Sequence, residues 1–154
     1  MRGAGTHNQP VGTWSDDTSL TLCTLDNLDK KPDYRKIMHS FVLWYEKGEY
    51  TADGKCFDVG RTTRRAIEKY MSGICPLRCG GRGIFSNGNG SLMRILPVVY
   101  YFDKYKDFKV NASNLNIIHK ISSLTHAHPL SLLSCDIYVY LGILLLNGYS
   151  VTDT

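Results

Sequence analysis

Apolar positions recur with helical spacing along most of the chain. Tyr34, Ile37, Met38, Phe41 and Tyr45 fall at i, i+3, i+4, i+7 and i+11, which is one face of a helix. Asp33 stands where an N-cap belongs and Gly48 where a helix stops. Ile117, Ile118, Ile121 and Leu124 repeat the pattern, with Asn111 or Ser113 able to cap it. A further helix is predicted from about Thr62 to Met71, ending at Gly73. Another runs from Ser91 to about Phe102. Pro97 lies inside it and should kink it or end its first part, because proline has no N–H to donate. The last helix, about Leu130 to Leu146, is apolar nearly all round and is expected to be central. Pro129 suits its first turn. No stretch alternates with period two for long enough to read as a strand, so the fold class is all-α.

Composition bounds this picture. The chain has 154 residues, 43% hydrophobic and 21% charged, which suits a single domain over 1–154 with a real core. The net charge of +4 leaves room for an anionic ligand. The basic residues are scattered apart from Arg61, Arg64 and Arg65, so no nucleic-acid partner is expected. Arg64 and Arg65 are adjacent and cannot share a helix face, and these arginines read as covering solvent or pairing with surface acids. The apolar run Ile137–Leu146 is too short to cross a bilayer, so no membrane partner is expected either. The opening stretch MRGAGTHNQP has no apolar core of a signal peptide, and the five cysteines are an odd set. Both features point to a reduced, cytoplasmic setting. Cys75 and Cys79 have no second pair at ligand spacing, so zinc is not expected.

The chemistry-bearing residues lie between the helices. Ser15, Asp16 and Asp17 place a hydroxyl and two carboxylates at a helix start. They read either as caps for its free N–H groups or as oxygen ligands for a hard cation such as Mg²⁺. Gly80, Gly81, Gly83, Gly88 and Gly90 fall just before a helix. They form either a plain flexible loop or a cradle in which backbone N–H groups approach a diphosphate. The loop lacks a GK[ST] ending and a complete GxGxxG, which excludes the common nucleotide-loop fingerprints. His126 and His128 stand before Pro129 as a polar helix end or as ligands and proton carriers.

Taken in order, GTWSDDT, FDVGRTTRRA, SNGNGSLMR and THAHP resemble the ADP-ribosylglycohydrolase family over nearly the whole chain. The resemblance implies an all-α orthogonal helix bundle that hydrolyses the bond between ADP-ribose and an acceptor, with two Mg²⁺ ions at the distal ribose. It implies that Ser15, Asp16 and Asp17 are metal ligands, and that Asp16 and Asp17 serve catalysis. Ser86, Asn87, Gly88, Asn89, Gly90, Ser91, Met93 and His126 fall at its substrate-binding positions. Asp58 and Gly60 belong to a turn read as mainly structural, and Thr18 is read as a cap or supporting residue. Family domains are longer at both ends. The family's opening helix with its acidic residue is absent, as is its C-terminal carboxylate segment, of which Asp153-Thr154 is read as a chance echo. The expectation is therefore a shortened, incomplete domain with part of the metal site, either an enzyme or an inactive ADP-ribose-binding module. Its uncovered apolar faces suit self-association or a partner segment.

Overall fold

The computed structural model describes residues 6–105, 109–150 and 152, so the Asp153-Thr154 echo lies outside the described residues. Six helices follow in order: α1 (Asp16–Asp26), α2 (Tyr34–Lys47), α3 (Arg61–Met71), α4 (Leu96–Tyr105), α5 (Ala112–Ser123) and α6 (Pro129–Leu146). Short 3₁₀ turns at Pro76–Arg78, Ile84–Ser86 and Leu92–Arg94 connect them. Among the described residues no strand forms. An isolated parallel bridge joins Gly81 and His126.

Local signals set the helix ends. The Asp33 carboxylate accepts from the Arg35 and Lys36 amides, satisfying two free donors of the first turn of α2. Asn111, not Ser113, caps α5 by accepting from the Asn114 amide at 2.9 Å. His128 occupies the cap of α6, and its Nδ1 accepts from the Leu130 amide at 3.3 Å. The predicted Ser91–Phe102 helix divides as Pro97 suggests. A 3₁₀ turn comes first, and α4 then begins at Leu96 with the proline in its first turn, where no donor is lost.

The helices pack as two clusters. Leu20 and Cys23 of α1, Ile37, Met38, Phe41 and Trp44 of α2, and Ala66 and Ile67 of α3 form the first. Val98, Val99 and Phe102 of α4, Ile118 and Ile121 of α5, and Cys135, Val139 and Ile143 of α6 form the second. The Leu92–Arg94 turn and α4 both pack on α1, which joins the two clusters.

The expected central position of α6 is corrected here. It packs on α4 and α5 along Ser131, Cys135, Val139 and Ile143, while Leu133, Ile137, Tyr140 and Leu145 are exposed. An all-round apolar sequence says that a helix can be covered on every side, and this stretch of chain covers one. The helix is also longer than the ten-residue apolar run. Its 18 residues are long and apolar enough to cross a membrane by length and composition alone. Its packing on two other helices, and the hydrogen bond of Asp136 to His119 of α5 at 2.7 Å, instead place it as a layer of the bundle. A groove of about 430 Å³ runs between α4 and α6, lined by Leu96, Tyr100, Tyr138 and Leu145 among others.

Gly48 shows how tightly a helix end can be specified. Its φ is +69°, and a Cβ there would lie 2.0 Å from the Gly54 carbonyl oxygen. Gly148 has φ +89° but open space around it. Gly148→Ala should therefore cost about 1 kcal/mol, the backbone strain alone. Gly48→Ala should cost roughly 3 kcal/mol or more, because backbone must also move. Urea unfolding of the two variants measures the difference.

Candidate functional site

The segment before α1 is held in place by its own residues. The Thr13 hydroxyl donates to the Pro10 carbonyl, and the Trp14 indole donates to the Tyr50 carbonyl at 2.9 Å. Ser15 then takes the N-cap position with extended backbone, but its hydroxyl caps no amide. It donates instead to the Asp17 carboxylate at 3.0 Å. On the capping reading of this triplet, Ser15 caps no amide, whereas Asp16 Oδ1 accepts from the first-turn amide of Asp17 at 3.1 Å.

Asp16 is 8% exposed. Its pKa is pushed up to about 6, first by burial and then by the negative charges of Asp17 and Asp58. Asp58 was read as part of a structural turn. The turn does require it to take φ +54°, and it places this third carboxylate where its field reaches Asp16. His7 lies 3.3 Å from Asp58 on the other side. The FDVG wording carried a hint of this, but only the fold brings residue 58 toward residue 16.

These oxygens test the implied metal. Their chemistry fits a hard cation, and the charges of Asp17 and Asp58 add to burial in raising the Asp16 pKa. The number of donors is small. Among the described residues no group of three His, Cys, Asp or Glu side chains converges as a metal cage. The triplet fits one side of a cation site.

The glycine-rich loop lies against His126. The Gly81 amide donates to the Thr125 carbonyl at 3.0 Å, and the Ala127 amide donates to the Gly81 carbonyl at 2.8 Å. These bonds pin the start of the loop beside the histidine. A Cβ on Gly90 would lie 2.6 Å from His126 Cε1 and 3.2 Å from Thr63 Oγ1, so only glycine allows this approach. From Gly88 the nearest atom to such a Cβ is His126 Nε2 at 3.9 Å. Asn87, Gly88 and Asn89 are exposed, and Ser86 and Gly90 are half-buried.

Two implied substrate residues sit elsewhere. Ser91 is fully buried, with its hydroxyl against the Cys135 sulfur at 3.6 Å. Met93 packs on the first cluster. The Ser91 side chain holds the loop's C-terminal end to the core, while Met93 is half-buried at the edge of the first cluster.

Beneath the loop lies a residue that motif reading passed over. Arg94 is fully buried. Its Nη2 donates to the Ile121 carbonyl at 3.1 Å and to Thr125 Oγ1 at 2.9 Å, and its guanidinium lies 4.8 Å from the Phe41 ring centre. The Ile121 carbonyl lies in the last turn of α5, at the negative end of the helix dipole, and also accepts from the Leu124 amide at 3.4 Å. Burial lowers the Arg94 pKa to about 10, which leaves the group charged at neutral pH.

Thr125 passes the effect to His126. Its hydroxyl accepts from Arg94 and lies 2.8 Å from His126 Nδ1. When the Thr125 hydroxyl donates to Nδ1, the neutral ring carries its own proton on Nε2, toward Gly88 and Gly90. Burial, followed by the Arg94 charge, lowers the His126 pKa to about 4. At neutral pH the site presents an uncharged imidazole under a glycine loop.

The comparisons with known proteins agree with this architecture. The ADP-ribosylglycohydrolase family profile matches residues 1–154, and the chain belongs to that family. It is 32% identical over 160 residues to the ADP-ribosylarginine hydrolase Tri1 of Pseudomonas putida (strain GB-1), covering all of this chain and 40% of that protein. It is 30% identical to the Tri1 of Serratia proteamaculans (strain 568), covering 97% of this chain and 40% of that protein. A solved ADP-ribosylglycohydrolase-related protein complex superposes with a TM-score of 0.73 at 28% identity, covering 96% of this chain and 45% of that one. The chain thus spans about two fifths of the length of these relatives.

Two measurements check the site. Arg94→Met should destabilise the fold by about 1–2 kcal/mol, because the Thr125 hydroxyl and the Ile121 carbonyl lose a charged donor while keeping their His126 and Leu124 partners. A urea midpoint within error of wild type would contradict this. The low His126 pKa stabilises the fold in full above the unfolded-state value near 6.5, and that contribution is lost as pH falls toward 4. The loss is on the order of 3 kcal/mol. Asp16 titrates in the opposite sense, since protonating it relieves a buried charge as pH falls below about 6. Comparing wild type with His126→Gln from pH 7 to pH 4 in EDTA isolates the histidine. The stability gap between the two should shrink by that amount toward acid pH.

Proposed function

We propose that this chain carries the ADP-ribose-binding part of a hydrolase that cleaves ADP-ribose from an acceptor. Arginine is the first acceptor to test, because both Tri1 relatives are named ADP-ribosylarginine hydrolases. The observation that carries the reading is the loop over His126. Gly88 leaves backbone open to a diphosphate, Gly90 lets the loop close on His126, and the neutral His126 ring offers Nε2 beside it.

In this reading Asn87 and Asn89 on the exposed rim hydrogen-bond ribose or phosphate oxygens, while Ser86 faces Gly81 and the α3 side of the loop. Ser15, Asp16 and Asp17 would hold Mg²⁺, which when bound supplies positive charge beside the bond being cleaved. Asp58 adds its negative field to the same site. Burial of Asp16 keeps its carboxylate fixed rather than mobile, so that it acts on a ligand without reorganising. The scarcity of carboxylates among the described residues favours a second reading, ADP-ribose binding without turnover. In either reading the exposed faces of α4 and α6 suit association with a further segment or a second copy, and the protein acts in the cytoplasm.

Calorimetric titration of ADP-ribose with Mg²⁺ and again with EDTA tests the proposal. Binding should weaken at least tenfold in EDTA, and Asp17→Asn should bind as weakly in Mg²⁺ as wild type does in EDTA. Release of ADP-ribose from an ADP-ribosylated arginine peptide establishes turnover. Binding that ignores EDTA, with no release, selects the binding module. No binding in either buffer overturns the proposal.

A further inference from the structure

The RTTRR stretch was expected to cover solvent, yet part of it lines a second recess outside the Gly88–Gly90 loop. This recess measures about 250 Å³. Thr62, Arg65 and Lys69 lie on one face of α3 and form one wall, and Arg82, Gly83 and Ser86 form the other. Gly81 lets the walls converge, since a Cβ there would lie 2.6 Å from Ser86 Oγ and 3.2 Å from Thr62 Cγ2. The Lys69 ammonium donates to the Cys79 carbonyl at 3.4 Å, which holds it at the rim.

The charge balance is one-sided. No Asp or Glu lines the recess, and among the described residues none pairs with Arg65, Lys69 or Arg82. Three cations facing one concave space repel each other, and the field they sum to attracts a multivalent anion. Guanidinium forks match phosphate oxygens, and the hydroxyls of Thr62 and Ser86 can donate to the same group. The volume suits one phosphoryl group with its water and not a whole nucleotide.

We propose that this recess is an anion subsite for a phosphate-class dianion, read by Arg65, Lys69 and Arg82 and distinct from the loop over His126. The proposal does not rest on ADP-ribose binding in that loop.

The test is an NMR titration of the full chain with inorganic phosphate at constant ionic strength, in wild type and four variants. Saturable shifts should centre on Arg65, Arg82 and Ser86. Arg65→Gln and Arg82→Gln should each weaken binding at least tenfold, with unchanged amide spectra elsewhere because both side chains are exposed. Lys36→Gln, which removes an equal charge from exposed surface on α2, should change it less than twofold. Gly88→Val should leave it unchanged while blocking ADP-ribose. The proposal is overturned by an absence of saturable shifts in wild type. Equal weakening by Lys36→Gln, or shifts centred on Gly88–Gly90 and lost in Gly88→Val, would overturn it as well. Phosphate binding at the recess in a chain that fails to bind ADP-ribose would support this inference and defeat the proposed function alone.

Discussion

A buried guanidinium holds the candidate site together. Arg94 leaves the 3₁₀ turn that follows the glycine loop and reaches the carbonyl end of α5, while its face lies over Phe41 of α2. It thereby ties the loop to both hydrophobic clusters. No carboxylate neutralises it among the described partners. Helix-end carbonyls, a hydroxyl and an aromatic face do so instead, each supplying partial negative charge without a second buried ion. Among the described residues Nε and Nη1 have no hydrogen-bond partner, so the buried cation bears a desolvation cost that shows in its lowered pKa, and it leaves a net positive field beneath the loop.

That field has a chemical consequence. His126 is separated from Arg94 only by Thr125, and both burial and the arginine disfavour a second proton on the ring. The ring stays neutral with Nε2 toward the glycines. A protonated histidine would attract an anion more strongly, but it would also change charge across the physiological range. A neutral ring over a buried cation is steadier. The acidic side of the site shows the opposite condition. Burial, and after it the charges of Asp17 and Asp58, raise the pKa of Asp16. The fold therefore places a positive field under the loop and a negative one at the start of α1, with the Leu92–Arg94 turn packed against α1 between them.

The outer layer follows a different logic. The chain matches about two fifths of each Tri1 relative, and the helices it contains bury one side of α6 and leave the other apolar and open. The exposed Leu133, Ile137, Tyr140 and Leu145 belong to the same helix whose inner residues complete the second cluster. The two sides differ only in what lies against them.

The sequence by itself determined the helices and their ends, because caps, prolines and apolar spacing act over a few residues. Asp33, Gly48, Pro97 and Pro129 could be placed without any knowledge of the neighbours they later meet. The ordered segments from GTWSDDT to THAHP also carried the family. What tertiary structure alone decided were relations between distant residues. Asp58 acts on Asp16 because a left-handed turn folds it back. Ser91 turns inward because the loop's end is clamped to the core. Arg94 reads in sequence as an ordinary polar residue after an apolar pair, and becomes a buried support only when α2 and α5 close around it. The Arg65, Lys69 and Arg82 recess likewise needs α3 and the glycine loop side by side. Burial and electrostatic fields depend on everything packed nearby, and spacing along one chain segment does not contain that information.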